Sequence, residues 1–205
     1  MRSYGQYCGV ARAADVIAER WALLIVRDLL VEPLRFGQLR DGLGAPSNIL
    51  TTRLKELEAS GIVERAVAPA PARGVFYRLT DYGRDLEPIV DAIGLWGARR
   101  MDAPREGEQV SDWSLASALR VGWTGACTRR TVWRVEAGSA SAWAVTDPDA
   151  PLSLGAGEPP EEPDVTLGGP GLRRFLAGRR PAEVEASDPA LLPEFARCFC
   201  VPLDA

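Results

Sequence analysis

Histidine is absent from the sequence, and lysine occurs once, at Lys55. The first absence removes the commonest general base and the commonest metal ligand. The second leaves arginine to carry nearly all the positive charge. The four cysteines, Cys8, Cys127, Cys198 and Cys200, follow no metal-ligand spacing. Reduced thiols and a cytoplasmic protein are therefore expected. No apolar run is long enough for a bilayer, WALLIV being the longest. The start, MRSYGQYCGVARAADV, reads neither as a signal peptide nor as an anchor. No Gly-rich phosphate loop or identifiable nucleophile–base pair occurs, so no enzyme, metal or cofactor is expected.

What is present fits a globular protein of 205 residues, with room for one large domain or two small ones. The net charge of −4 hides an asymmetry. Residues 1–104 hold 14 basic and 13 acidic side chains, whereas residues 105–205 hold 10 and 15. The polar stretch MDAPREGEQVSD marks the break. Two domains follow, 1–104 and 105–205, in an α+β chain.

The first half is mainly helical. VARAADVIAE places Val10, Ala14 and Ile17 on one face, and WALLIVRDLL puts Trp21, Leu24, Ile25 and Leu29 at helical spacing. RFGQLRDGL turns Phe36, Leu39 and Leu43 inward. After the turn GAPS, Ser47 is the expected N-cap of SNILTTRLKELEAS. Leu50, Leu54 and Leu57 form its buried stripe, and Gly61 suits its C′ position. Residues 62–67 and 75–79 read as a hairpin with a long tip, APAPARG. Thr80 or Asp81 caps the next helix, and Ile89, Val90, Ile93 and Trp96 line a later apolar face.

Helix, helix, helix–turn–helix, hairpin and helix is the order of a winged helix. Opposite the leucine stripe lie Asn48, Thr51, Thr52 and Lys55. Asn can bond adenine, Thr can bond a base or touch a thymine methyl, and Lys can reach guanine or phosphate. Ser47, at the helix start, is placed for a phosphate. Arg53, on the flank of the stripe, can hold a phosphate or pair with an acidic neighbour. Arg73, in the hairpin tip, suits a minor groove or phosphate. Against all this stands an ordinary solvated face.

The second half alternates. TVWRVEA and SAWAVTD read as strands around a three-residue loop, Gly138, Ser139 and Ala140, which puts Trp133 and Val135 on one face with Trp143 and Val145. PLSLGAGEPPEEPD reads as loop, VTLGG and EVEAS as extended, and PGLRRFLAG as a short helix. DPALLPEFARCF reads as a helix capped by Asp188. Trp133, Trp143, Phe175, Phe195 and Phe199 are large apolar side chains that by default fill a solid core.

Two resemblances rest on these stretches. YCGVARAADVIAERWALLIVRDLLVEPLRFGQLRDGL, SNILTTRLKELEASGIVERAV and VFYRLTDYGRDLEPIVDAIGLWG together resemble the HxlR family of bacterial winged-helix regulators, relatives of the MarR group. Gly9 departs from the proline that often follows the family's cysteine. The resemblance implies a homodimer, with the first and last helices of the domain packed across the two-fold axis. Two recognition helices roughly 34–36 Å apart would then read a pseudo-palindromic double-stranded DNA operator. It also implies a choice for Cys8: a redox-sensing thiol at a helix N-terminus, or a small buried residue at the dimer interface. The second stretch, EEPDVTLGGPGLRRFLAGRRPAEVEASDPALLPEFARCF, resembles the sterol-carrier-protein-like fold. That implies an apolar cavity lined by Trp133, Trp143, Phe175, Phe195 and Phe199, and in it a hydrophobic small-molecule effector of the second half. The competing expectation is a lipid-binding protein whose winged helix serves only for dimerisation.

Overall fold

The computed structural model describes residues 3–67, 74–101, 105–172, 176 and 183–201. The chain divides into two compact units, Met1–Val90 and Asp91–Ala205.

The first unit begins with α1 (Gly9–Ile17), α2 (Ala22–Val31), α3 (Phe36–Leu43) and α4 (Ser47–Ala59). Along α2 the buried apolar residues are Ala22, Ile25, Val26, Leu29 and Leu30, the i, i+3, i+4, i+7, i+8 stripe of a core-facing helix. This shifts the expected face. Leu24 points outward, and Trp21 is not helical but caps α2 with a φ of 79°. Val10 on α1 is likewise exposed, and Ala11 is the buried residue there. On α3 only Leu39 is fully buried, Phe36 and Leu43 being half-buried.

α4 buries Leu50, Leu54 and Leu57 as expected. Each such leucine removed from water contributes about 1.5–3 kcal/mol. Its N-cap is Pro46, not Ser47. Pro46 has the extended ψ of 135° that a cap requires, and its carbonyl accepts from the Leu50 N–H at 2.9 Å. Ser47 is therefore the first helical residue. At the other end Gly61, with φ of 70°, sits at C′. The Ile62 N–H donates to the Leu57 carbonyl and the Gly61 N–H to that of Glu58, both at 3.0 Å, which closes a Schellman motif.

Strands β1 (Val63–Val67) and β2 (Val75–Leu79) pair antiparallel, with Val63 opposite Leu79 and Val67 opposite Val75. Leu34, just before α3, bridges to Tyr77 through two backbone bonds of 3.0 and 2.8 Å. The hairpin is thereby tied to the helix–turn–helix. Thr80 caps α5 (Asp81–Arg84) by accepting from the Gly83 N–H at 3.0 Å. Gly83 lies so close to β1 that a Cβ there would stand 2.1 Å from the Ile62 carbonyl oxygen. α6 (Glu87–Ala98) starts afresh, with Pro88 in its first turn, and exposes Ile89, Ile93 and Trp96.

Among the described residues the second unit holds α7 (Asp112–Gly122), five strands and α8 (Leu192–Cys198). The strands are β3 (Thr131–Ala137), β4 (Ala140–Thr146), β5 (Ser153–Ala156), β6 (Val165–Gly168) and β7 (Glu185–Ala186). Their order is β5-β4-β3-β6-β7, antiparallel except for β3 against β6. A 3-10 turn, Pro189–Leu191, capped by Asp188, precedes α8, so DPALLPEFARCF folds as two pieces. Most of PGLRRFLAG lies outside the described residues.

Two expectations fail here. The β3–β4 loop has two residues, since Ala137 pairs with Ala140. Gly138 supplies the positive φ, 65°, that a II′ hairpin requires at its first central position. This moves the register by one and turns Trp143 and Val145 to the face opposite Trp133 and Val135. Trp133 stands across from Ala144, and Trp143 across from Arg134. The second failure is Ser153–Ala156, expected as loop but forming edge strand β5. Its Gly155 is covered by the Trp143 indole, whose nearest ring carbon would lie 2.7 Å from a Cβ there.

Candidate nucleic-acid interface

The leucines that bury one side of α4 leave Ser47, Asn48, Thr51, Thr52 and Lys55 exposed on the other. The Thr51 hydroxyl donates to the Ser47 carbonyl at 2.7 Å, and that of Thr52 to the Asn48 carbonyl at 3.0 Å. With those protons committed to the helix, each threonine presents a methyl and oxygen lone pairs. Such groups suit thymine methyls and the amino edges of adenine and cytosine. Asn48 adds an amide and Lys55 an ammonium.

The surrounding arginines are neutralised within the fold. Arg40 pairs with Asp41, Arg65 with Glu58, and Arg78 with Glu64, at 2.7 to 2.8 Å. Lys55 joins none of these pairs. Arg53 is only 13% exposed and bonds both Glu56 and Glu19. Of the two roles open to it, acidic pairing is the one its side chain adopts. Arg73 lies outside the described residues, as does Phe175.

Arg35 was missed by reading the sequence alone. It caps α3, where its backbone N–H donates to Gln38 Oε1 at 2.8 Å. Its guanidinium lies 4.5 Å from the Phe76 ring centroid and against Gly74 at the base of the hairpin. The available signal was the Arg-x-x-Gln spacing in RFGQ, which is the N3 half of a capping box.

Cys8 is exposed at the N-cap of α1, in an open hollow with Tyr7, Gly9 and Arg12. The backbone N–H groups of Ala11 and Val10 hold its thiol below the usual cysteine range. Cys198 is its opposite. Burial, with Glu194 and Cys127 nearby, pushes that thiol up to about 12. All four cysteines are free.

The aromatic candidates of the second unit divide. Trp133, Phe195 and Phe199 are at most 1% exposed. Trp133 meets Phe195 edge-on at 5.2 Å, and Phe195 meets Phe199 at 4.9 Å. The Trp133 indole N–H donates to Thr146 Oγ1 at 2.9 Å. Trp143 is on the other side of the sheet. Among the described residues no cluster of metal-ligating side chains occurs, and no helix is long and apolar enough to cross a membrane.

The model of the HxlR-like helix-turn-helix family matches residues 16–105. An uncharacterized HTH-type transcriptional regulator of Synechocystis sp., sll1512, is 36% identical over 95 residues, covering 46% of this chain and 70% of that protein. YvaP of Bacillus subtilis, also an uncharacterized HTH-type transcriptional regulator, is 38% identical over 92 residues, covering 44% of this chain and 85% of its own length. A structure of the redox regulator HypR in its oxidized form is 36% identical, covers 47% of this chain and all of that one, and has a TM-score of 0.44.

Proposed function

Because the chain belongs to the HxlR-like helix-turn-helix family of transcriptional regulators, we propose that it is a homodimeric repressor of a pseudo-palindromic DNA operator. The carrying observation is the exposed set Asn48, Thr51, Thr52 and Lys55 on α4, between a tight turn and a hairpin. Residues 1–104 serve as the DNA-binding and dimerisation domain. Val10 on α1, and Ile89, Ile93 and Trp96 on α6, are exposed apolar side chains of the kind a two-fold interface covers. Residues 105–205 form an effector domain of the sterol-carrier-protein-like kind. A hydrophobic small molecule there biases the dimer towards the state that releases DNA.

Mobility-shift titrations against DNA upstream of the protein's own and neighbouring genes test this, run across a salt series. Sequence-specific binding that weakens with salt is expected. Equal affinity for random DNA sinks the reading. Indifference to substitution of Thr51, Thr52 and Lys55 would leave the winged helix with dimerisation alone.

A second reading has its own observation. Cys8 is an exposed thiol made more acidic by the start of α1, which favours a redox-sensing regulator. Oxidant-dependent loss of DNA binding should then vanish in Cys8→Ser, and its persistence there rules the reading out.

A further inference from the structure

Arg53 lies mid-way along α4, on the flank between the buried leucines and the exposed polar face. Its guanidinium reaches Glu56 one turn on, and through Nη2 reaches Glu19 at 3.3 Å. Glu19 belongs to the turn joining α1 to α2. Beside it Trp21 holds a φ of 79°, a left-handed conformation that is strained for a non-glycine residue. The Arg20 guanidinium stacks 5.0 Å over the Trp21 ring. Arg53 Nε is buried and finds no hydrogen-bond partner among the described residues. So Arg53 is held in place at some electrostatic cost, and it spends its two forked nitrogens on two carboxylates.

Leu50, Leu54 and Leu57 hold α4 down, but apolar burial is non-directional. It resists lifting the helix more than turning it about its axis. A charge-assisted hydrogen bond from the flank of the helix to a neighbouring turn has direction. On this basis we infer that Arg53 is a positioning residue. Through Glu19 it fixes the rotation of α4, and so the angle at which Asn48, Thr51 and Thr52 meet base edges, without itself contacting phosphate. The inference rests on the DNA-binding reading proposed above.

The probe is a duplex selected by the wild-type protein from a randomised pool, with a shuffled duplex as control. Glu19→Gln, at a half-exposed carboxylate, keeps the fold and removes the charge. It should weaken binding to the selected duplex roughly fivefold or more and leave shuffled-duplex binding unchanged. Arg53→Gln should do the same. Neither should alter the slope of log affinity against log salt, because no phosphate contact is lost. The double variant should bind about as well as the weaker single, since both remove one interaction. A Glu19→Gln protein that binds as wild type overturns the inference. So does an Arg53→Gln slope that shallows by about 0.9, the loss of one phosphate contact. If the wild type selects no sequence, the DNA-binding reading itself falls and takes this one with it. Thermal melts confirm that each variant is folded before binding is measured.

Discussion

The two units use their carboxylates differently. In the first, six carboxylates pair with arginines, Asp28 with Arg27, Asp41 with Arg40, Glu58 with Arg65, Glu64 with Arg78, and Glu19 and Glu56 with Arg53, while Asp15 accepts from the Tyr4 N–H. In the second, ion pairs also occur, but six described carboxylates accept from backbone N–H groups: Glu108, Asp147 and Asp188 from residues two or three away, and three others from residues 29 or more away. Asp112 takes that of Ser141 at 2.9 Å, Asp164 that of Val132 at 2.8 Å, and Glu194 that of Thr128 at 2.5 Å. The acidic excess of the second half is thus partly structural. Net charge alone therefore says little about partners, because an acid serving the backbone leaves no arginine neutralised.

The contrast is sharpest at the buried acids. Asp28 is fully buried, its Oδ1 held by Arg27 and its Oδ2 without a hydrogen-bond partner among the described residues. Burial raises its pKa, and the charge and hydrogen bond of Arg27 do not undo the rise. Burial pushes Glu194 up as well. There the Thr128 N–H and hydroxyl, Arg197 and the Cys198 thiol together outweigh it, and the carboxyl stays below its usual range. Saturation by donors, rather than burial, decides which protonation state each site favours.

Four changes would break or sharpen this comparison. The largest effect belongs to Gly83→Ala, which tests the first unit's backbone contact where the second unit uses side chains. A Cβ 2.1 Å from the Ile62 carbonyl must push β1 and α5 apart. A loss of about 3 kcal/mol in denaturant unfolding is expected. Next is Glu194→Gln, which turns an N–H₂ group toward donors and should cost about 1–3 kcal/mol at neutral pH. Because the folded pKa of Glu194 is lowered, its stabilisation is present above the ordinary glutamate value. It is lost as pH falls through the lowered one. The Gln variant should lack that acid-side loss in unfolding curves taken across pH.

Asp28→Asn should reverse the sign. Asp28 has a raised folded pKa, so its contribution declines as pH climbs from the ordinary aspartate value through the raised one. The Asn variant should match wild type within about 1 kcal/mol at neutral pH and compare less well in acid. A neutral-pH loss as large as that of Glu194→Gln would erase the distinction between the two sites. The smallest effect is expected of Lys55→Gln, on α4, where the neighbouring arginines are already paired. It should weaken DNA binding almost uniformly across sequences and reduce the salt slope by about 1.

The winged helix was legible because punctuation fixed it. The Leu50–Leu54–Leu57 stripe, Gly61 and the Thr80 cap each have a local cause, and the structure keeps all three. The second unit was less so. Around Gly138 a two-residue and a three-residue loop are equally good on paper, and that one residue decides which face Trp143 takes. Ser153–Ala156 lacks β-branched residues and gains its strand from pairing with β4, a long-range cause. At the site, the exposed face of α4 was readable from helical period alone. The inward turn of Arg53 was not, because its partner Glu19 is 34 residues away.

Lys55 has one further consequence, practical rather than energetic. It is the only side-chain amine in the chain, and it stands exposed on α4. Any reagent that acylates lysine side chains therefore lands on the helix proposed to enter the groove. A dye attached there would report docking directly, and a bulky adduct would block it, without a single engineered residue.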